Sequence, residues 1–162
     1  MQGQYPSRKH VSVQEAQKKM ERYCAYQERC HQEVVNKLKD MRMIPQAIDA
    51  IVTHLIQENY LNEERFARSF ARGKFNIKKW GRNRITNELK MRQISRFNVQ
   101  SALSEISEEN YDKTLDELAL KRWEQLLGES PQKRKKKLVD YLLYRGWESQ
   151  LVYDKLRELT RE

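Results

Sequence analysis

One apolar pattern, used three times at nearly constant spacing, constrains this chain more than anything else in it. With Leu38, Leu89 and Leu142 as zero positions, 51 and 53 residues apart, the residues one helical turn earlier are Val34, Ile85 and Leu138. Five positions on come Met43, Ile94 and Trp147. At ten, fourteen and seventeen come Ile48, Val99 and Val152, then Val52, Leu103 and Leu156, then Leu55, Ile106 and Leu159. All are apolar, and the spacing is helical throughout. The first pair of each series defines one helix and the last three positions the stripe of a second, with a turn between.

A further helical stretch precedes each pair. In the middle series Asn62 is a good N-cap, Glu63 and Glu64 sit where carboxylates favour the helix dipole, and Phe66 and Phe70 form an apolar pair one turn apart. In the third, Leu115, Leu118, Ala119 and Trp123 form the inward side. In the first it is Ala16, Met20, Tyr23 and Ala25 to Tyr26. The expected fold is therefore all-α: three tandem three-helix repeats, each resembling a helix-turn-helix unit, stacked into an elongated, curved, solenoid-like body. Its repeats cover residues 12–59, 60–109 and 110–162, behind a disordered tail over 1–11. Units of about 50 residues are marginal alone and gain by packing on a neighbour. With three Pro and five Gly, the chain lacks the punctuation of a sheet of short strands. Gly146 stands where a left-handed residue closes a helix. Gln93 and Arg42 take that place in the other two repeats, so those turns are expected to close differently.

Charge singles out the middle repeat. From Arg65 to Arg96 there are eleven Lys or Arg residues and one acid, Glu88, whereas the whole chain carries only +9. The positive field is local, and the expected visitor is negative. Arg65, Arg68 and Arg72 share one stripe, well round the helix from Phe66 and Phe70. Lys74, Lys78, Lys79, Trp80, Arg82 and Arg84 occupy the junction to the next helix, where Gly81 allows a tight entry, and Arg92 follows. Such a junction offers donors to phosphate oxygens, and Trp80 either stacks on a base or packs between helices. Acidic side chains of a protein fit the same donors. A second run, Lys133, Arg134, Lys135, Lys136 and Lys137, follows Pro131; it reads as a solubilising face or as the continuation of a basic track.

Catalytic signals are missing from the pattern. Glu105, Glu108, Glu109, Asp112, Asp116 and Glu117 crowd one junction, but no His, Lys or Tyr completes a constellation, so dipole and solubility roles are assigned to them. Cys24 and Cys30, read as lying on different faces of one helix, fit no metal or redox spacing, and with His31 they still lack a fourth zinc ligand. His10 and His54 stand apart. No phosphate-binding glycine loop or nucleophile elbow occurs. No enzyme, no cofactor and no metal are expected, and no run approaches the roughly 20 apolar residues of a membrane span.

Tyr60-Leu61-Asn62, Arg65-Phe66-Ala67 with Phe70, Trp80-Gly81, Arg84-Ile85 and Glu88-Leu89, at these separations, resemble the central signature of the RecX family of bacterial regulatory proteins. The threefold pattern extends the resemblance over nearly the whole chain after the tail. Two departures stand out: Arg92-Gln93 replaces the Lys-Gly pair common in the family before Ile94, and the first leading helix is rich in aromatics and cysteine. The resemblance implies a modulator of the RecA recombinase; a monomer is expected, and two cysteines with no redox spacing suit a cytoplasmic setting. It would lie in the groove of the recombinase filament on single-stranded DNA, with double-stranded DNA a further ligand. There it would curb filament growth, ATP hydrolysis, strand exchange and coprotease activity in the SOS response. The residues expected to meet DNA or filament are Arg65, Arg68, Arg72, Lys74, Lys78, Lys79, Trp80, Arg82, Arg84, Arg92, Lys133, Arg134, Lys136 and Lys137. Phe66, Phe70, Gly81, Ile85 and Leu89 form the structural signature. The residues also admit a stand-alone helix-turn-helix DNA-binding transcription regulator, or a scaffold that meets acidic proteins only.

Overall fold

Serines and prolines mark where the helices start. Ser12, Ser95 and Ser107 each accept the backbone N–H three residues on, at 3.1, 3.2 and 3.1 Å, and Pro45 and Pro131 open two further helices. The computed structural model describes residues 10–161, and among them are nine α-helices and no strand. In order they are α1 (Val13–Tyr26), α2 (His31–Asp40), α3 (Pro45–Gln57), α4 (Glu63–Lys78), α5 (Arg82–Met91), α6 (Arg96–Leu103), α7 (Glu108–Gln125), α8 (Pro131–Tyr144) and α9 (Ser149–Thr160).

The turns after α2, α5 and α8 close in the same way, contrary to the expectation that Arg42 and Gln93 require another geometry. Arg42, Gln93 and Gly146 have φ of 60°, 59° and 92°. The next N–H in each case, from Met43, Ile94 and Trp147, donates back to the carbonyl of Leu38, Leu89 and Leu142 at 3.1, 3.1 and 3.2 Å. A left-handed residue without glycine costs about 1–2 kcal/mol. Satisfying an orphan carbonyl while turning an apolar side chain into the core offsets that cost. Asn59 and Lys79, also left-handed, end α3 and α4.

Contacts divide the chain between Glu63 and Glu64 into two compact units. In the first, α1 and α2 pack on α3 around Ala16, Met20, Val34, Leu38, Ile51 and Leu55. Cys24, and not Ala25 or Tyr26, completes the inward side of α1; Tyr26 is 84% exposed. Cys30 is not on that helix at all but is the N-cap of α2. Most of the expected disordered tail lies outside the described residues, and its last residue, Val11, packs against the first core.

The second unit holds α4 to α9 around three rings. Tyr111 lies 4.4 Å from Trp147 and 6.0 Å from Phe75, centroid to centroid. The Trp147 indole donates to the Lys79 carbonyl at 3.1 Å, and the Gly81 and Asn83 N–H groups donate to the Arg145 and Gly146 carbonyls at 2.8 and 3.0 Å. Here two backbones touch. A Cβ on Gly81 would fall 2.4 Å from the Gly146 oxygen, and one on Gly146 would fall 2.3 Å from the Arg84 Cβ. Gly81 has an ordinary φ of −79°, so close approach, not a tight entry into α5, calls for glycine there. The repeat register holds with one exception. Thirteen positions after the zero residue stand the buried Ile51 and Ala102, but in the last repeat Lys155. It keeps only 13% of its side chain exposed and pairs with Asp116 and Glu158.

Candidate nucleic-acid interface

The basic residues of the middle repeat differ in what holds them. Their partners sort them into four settings, all within the second unit. Arg68 is held on three sides: its Nε donates to Ser101 at 2.9 Å, one Nη meets Glu105 at 3.0 Å and the other meets Glu64 at 3.2 Å. Arg72 reaches the same Glu105 at 3.3 Å. The hydrogen bond from Arg68, then those from Arg72, hold the Glu105 carboxyl below its usual range. Glu105, which lies between α6 and α7, therefore serves as a counter-ion and not in a dipole role, whereas Glu108 and Glu109 do stand in the first turn of α7. Arg65, half-buried on the same helix, is likewise engaged.

Arg82 faces inward. Its guanidinium lies 3.8 Å from the Tyr111 ring centroid and meets Glu108 at 2.8 Å and Glu148 at 3.3 Å. The Arg82 backbone N–H donates to the Tyr111 hydroxyl at 3.0 Å, and that hydroxyl donates to Glu148. Burial, then the hydrogen bond to Glu148, pushes the Tyr111 hydroxyl well above the usual phenol range. Burial works against the Arg82 charge, yet Glu108, Tyr111 and Glu148 raise its affinity for the proton on balance. The result is a structural clasp tying the start of α5 to α7 and α9.

A third group does assemble as an accessible cluster. Trp80 is half-buried against Phe70, with centroids 6.3 Å apart and the rings edge to face. The Lys74 ammonium lies 4.9 Å from the Trp80 ring and the Arg84 guanidinium 4.2 Å. Arg84 also lies 4.8 Å from the ring of Tyr144, which is 75% exposed, and Arg92 lies 4.9 Å from Phe70. Arg92 is shared with Glu88 at 3.0 Å, whereas Arg84 donates to the Tyr144 carbonyl at 3.3 Å. Aromatic faces edged by Lys and Arg offer base stacking and phosphate contact at once. Tyr144 carries no motif at the sequence level; only the approach of α8 to α5 brings it here.

Lys78 and Lys79 make the fourth setting, a groove formed with Lys121, Arg122, Tyr141 and Arg145, none of which the sequence marked. The later basic run is divided as well. Arg134 turns onto Trp123, 3.7 Å from its ring, and donates twice to its carbonyl. Lys136 pairs with Asp140 and Lys137 with Glu129, while Lys133 is exposed. The first unit carries its own basic groove, where Lys19, Arg22, Arg29 and Lys37 surround Tyr23 and Tyr26. Two of its histidines lie beside carboxylates, His31 at 3.2 Å from Glu63 and His54 at 3.0 Å from Glu21. Among the described residues no cluster of His, Cys, Asp or Glu has the makings of a metal site, and no helix is long and apolar enough to cross a membrane.

Comparison with known proteins decides the family. Residues 62–103 match the family model of the RecX second three-helix domain and residues 109–156 that of the third, together more than half of the chain. The chain belongs to the RecX family. A regulatory protein RecX of Bacillus cytotoxicus is 25% identical over 150 residues, 93% of this chain and 56% of that protein. One of Lactobacillus johnsonii is 31% identical over 83 residues, 51% of this chain and 31% of that protein. The matches thus span about half or less of these curated relatives. The helical repeat fold recurs in a crystal structure of RecX from Lactobacillus salivarius, with a TM-score of 0.78 over 91% of this chain and 96% of that one, at 22% identity. A second RecX crystal structure aligns with a TM-score of 0.80 over 90% of this chain and 73% of that one, at 23% identity. The two matched domains together run from the start of α4 into α9.

Proposed function

We propose that this protein is a non-catalytic cytoplasmic regulator that binds the RecA recombinase and its filament on single-stranded DNA and restrains filament growth. ATP hydrolysis, strand exchange and coprotease activity fall with it. RecX membership over α4 to α9 carries this reading, and the cluster of Lys74, Trp80, Arg84 and Tyr144 supports it by offering stacking surface and cations on one accessible patch. In this reading Lys74, Trp80 and Arg84 touch the strand. Arg68, Arg72 and Arg82, matched by Glu105, Glu108 and Glu148, chiefly hold the unit together. The test is the ATPase rate of the matching recombinase on single-stranded DNA as the protein is titrated in. A concentration-dependent fall that Lys74→Ala/Arg84→Ala relieves supports the proposal. An unchanged rate, combined with tight binding to one duplex sequence, replaces it with a transcription regulator.

A further inference from the structure

We infer that the groove between the end of α4, the second half of α7 and the end of α8 is a phosphate-binding pocket, separate from the Trp80 cluster. It encloses about 330 Å³ and is lined by Lys78, Lys79, Lys121, Arg122, Tyr141 and Arg145, with no carboxylate in its wall. That sets it apart from Arg68, Arg72, Arg82, Arg92 and Lys155, each of which has a carboxylate beside it. Five cations brought to one concavity without a counter-ion repel one another, and an incoming anion relieves the repulsion.

The two arginines carry the stronger sign. Their guanidiniums lie over the same Tyr141 ring, at 5.0 Å for Arg122 and 4.4 Å for Arg145, and that stacking presets both. The Nε atom of each is shielded from solvent and has no hydrogen-bond partner. Arg122 also donates to the Gln125 side chain at 3.4 Å, the outer limit of a hydrogen bond. Two guanidiniums preset against one ring, from α7 and from the end of α8, and backed by three ammonium groups, match a tetrahedral oxyanion of charge near −2 better than a single planar carboxylate. The volume admits a phosphate with one attached group but no double helix. Ile77, 77% exposed at the rim, offers apolar contact to what the phosphate carries.

The pocket does not depend on the recombinase reading, so its test omits recombinase. The full chain, labelled with ¹⁵N, is titrated at low salt with inorganic pyrophosphate, with the 5′-phosphorylated dinucleotide pdTpdT and with a Glu-rich peptide, while arginine Nε–H resonances are followed. Saturable shifts of the Arg122 and Arg145 resonances are expected with the phosphate probes. Arg122→Gln and Arg145→Gln should each weaken binding about tenfold or more, the exposed Lys121→Ala by a smaller factor, and Arg68→Gln not at all. Pyrophosphate binding as tightly as pdTpdT identifies a site for free phosphate; a dinucleotide preference of about tenfold identifies a nucleotide site. The inference is overturned by absence of saturation, by a Glu-rich peptide binding as tightly as either phosphate probe, or by binding that survives these variants and is lost with Lys74→Ala/Arg84→Ala.

Discussion

Gly146 has two reasons to be glycine, and they separate experimentally. Its φ of +92° strains any side chain, and its Cα faces the backbone of Arg84, whose nitrogen a Cβ would approach to 2.4 Å. Gly146→Ala should therefore cost more than the about 1–2 kcal/mol of a left-handed residue alone, reaching about 3 kcal/mol in urea unfolding. Gln93, at the same turn position with φ of 59°, should gain about 0.5–1 kcal/mol on substitution by Gly. Cys30 supplies a pH prediction. Burial pushes its thiol from an ordinary value of 9.0 up to about 11, so the folded chain keeps a proton that the unfolded chain loses. The associated stability is present below pH 9 and is lost as pH rises toward 11. Denaturant titrations between those values should show a slope that Cys30→Ala reduces.

Helix existence was legible in the sequence because each repeat must turn the same positions inward. Val34, Ile85, Leu138, Leu38, Leu89 and Leu142 are all fully buried. Turn closure is less legible, because glycine at a left-handed position is a preference and not a requirement, as Arg42 and Gln93 show. The site was harder, because the partner of a basic residue is set by tertiary contact: Arg68 meets Glu105 across 37 positions and Arg82 meets Glu148 across 66. No local pattern announces either. Lys155 shows the same limit on α9, where a cation occupies a core register and reaches Asp116 on α7. Its two partners are mostly exposed, so replacing Lys155 by Met strands no buried charge and adds apolar contact. Lys155→Met should be neutral or stabilising by up to about 1 kcal/mol in thermal unfolding. Arg82→Ala is the opposite case. It removes the ring contact to Tyr111 and leaves Glu148 with the hydroxyl alone, so it should destabilise by about 1–3 kcal/mol, with a double-mutant cycle to Glu148→Ala showing clear coupling.

At the scale of the whole molecule, a surplus of +9 says less than where the unmatched cations stand. Were every Lys and Arg of the middle repeat available to a strand, salt dependence would be steep and any pair of substitutions would flatten it equally. The ion pairs predict otherwise. Releasing counter-ions from single-stranded DNA contributes about 0.7 to the slope of log affinity against log salt for each phosphate neutralised. Lys74→Ala/Arg84→Ala should therefore lower that slope by about 1.4 and Trp80→Ala should cost about 1–3 kcal/mol of stacking without changing it. Arg68→Ala/Arg72→Ala should leave the slope nearly intact, because both cations are already committed to Glu105, and should show instead as a lower unfolding midpoint. Fluorescence anisotropy with a labelled oligothymidine at several salt concentrations makes the comparison. Equal losses of slope from the two pairs would mean that Glu105 releases its arginines when DNA arrives, and the division of labour between clasp and contact surface would have to be abandoned.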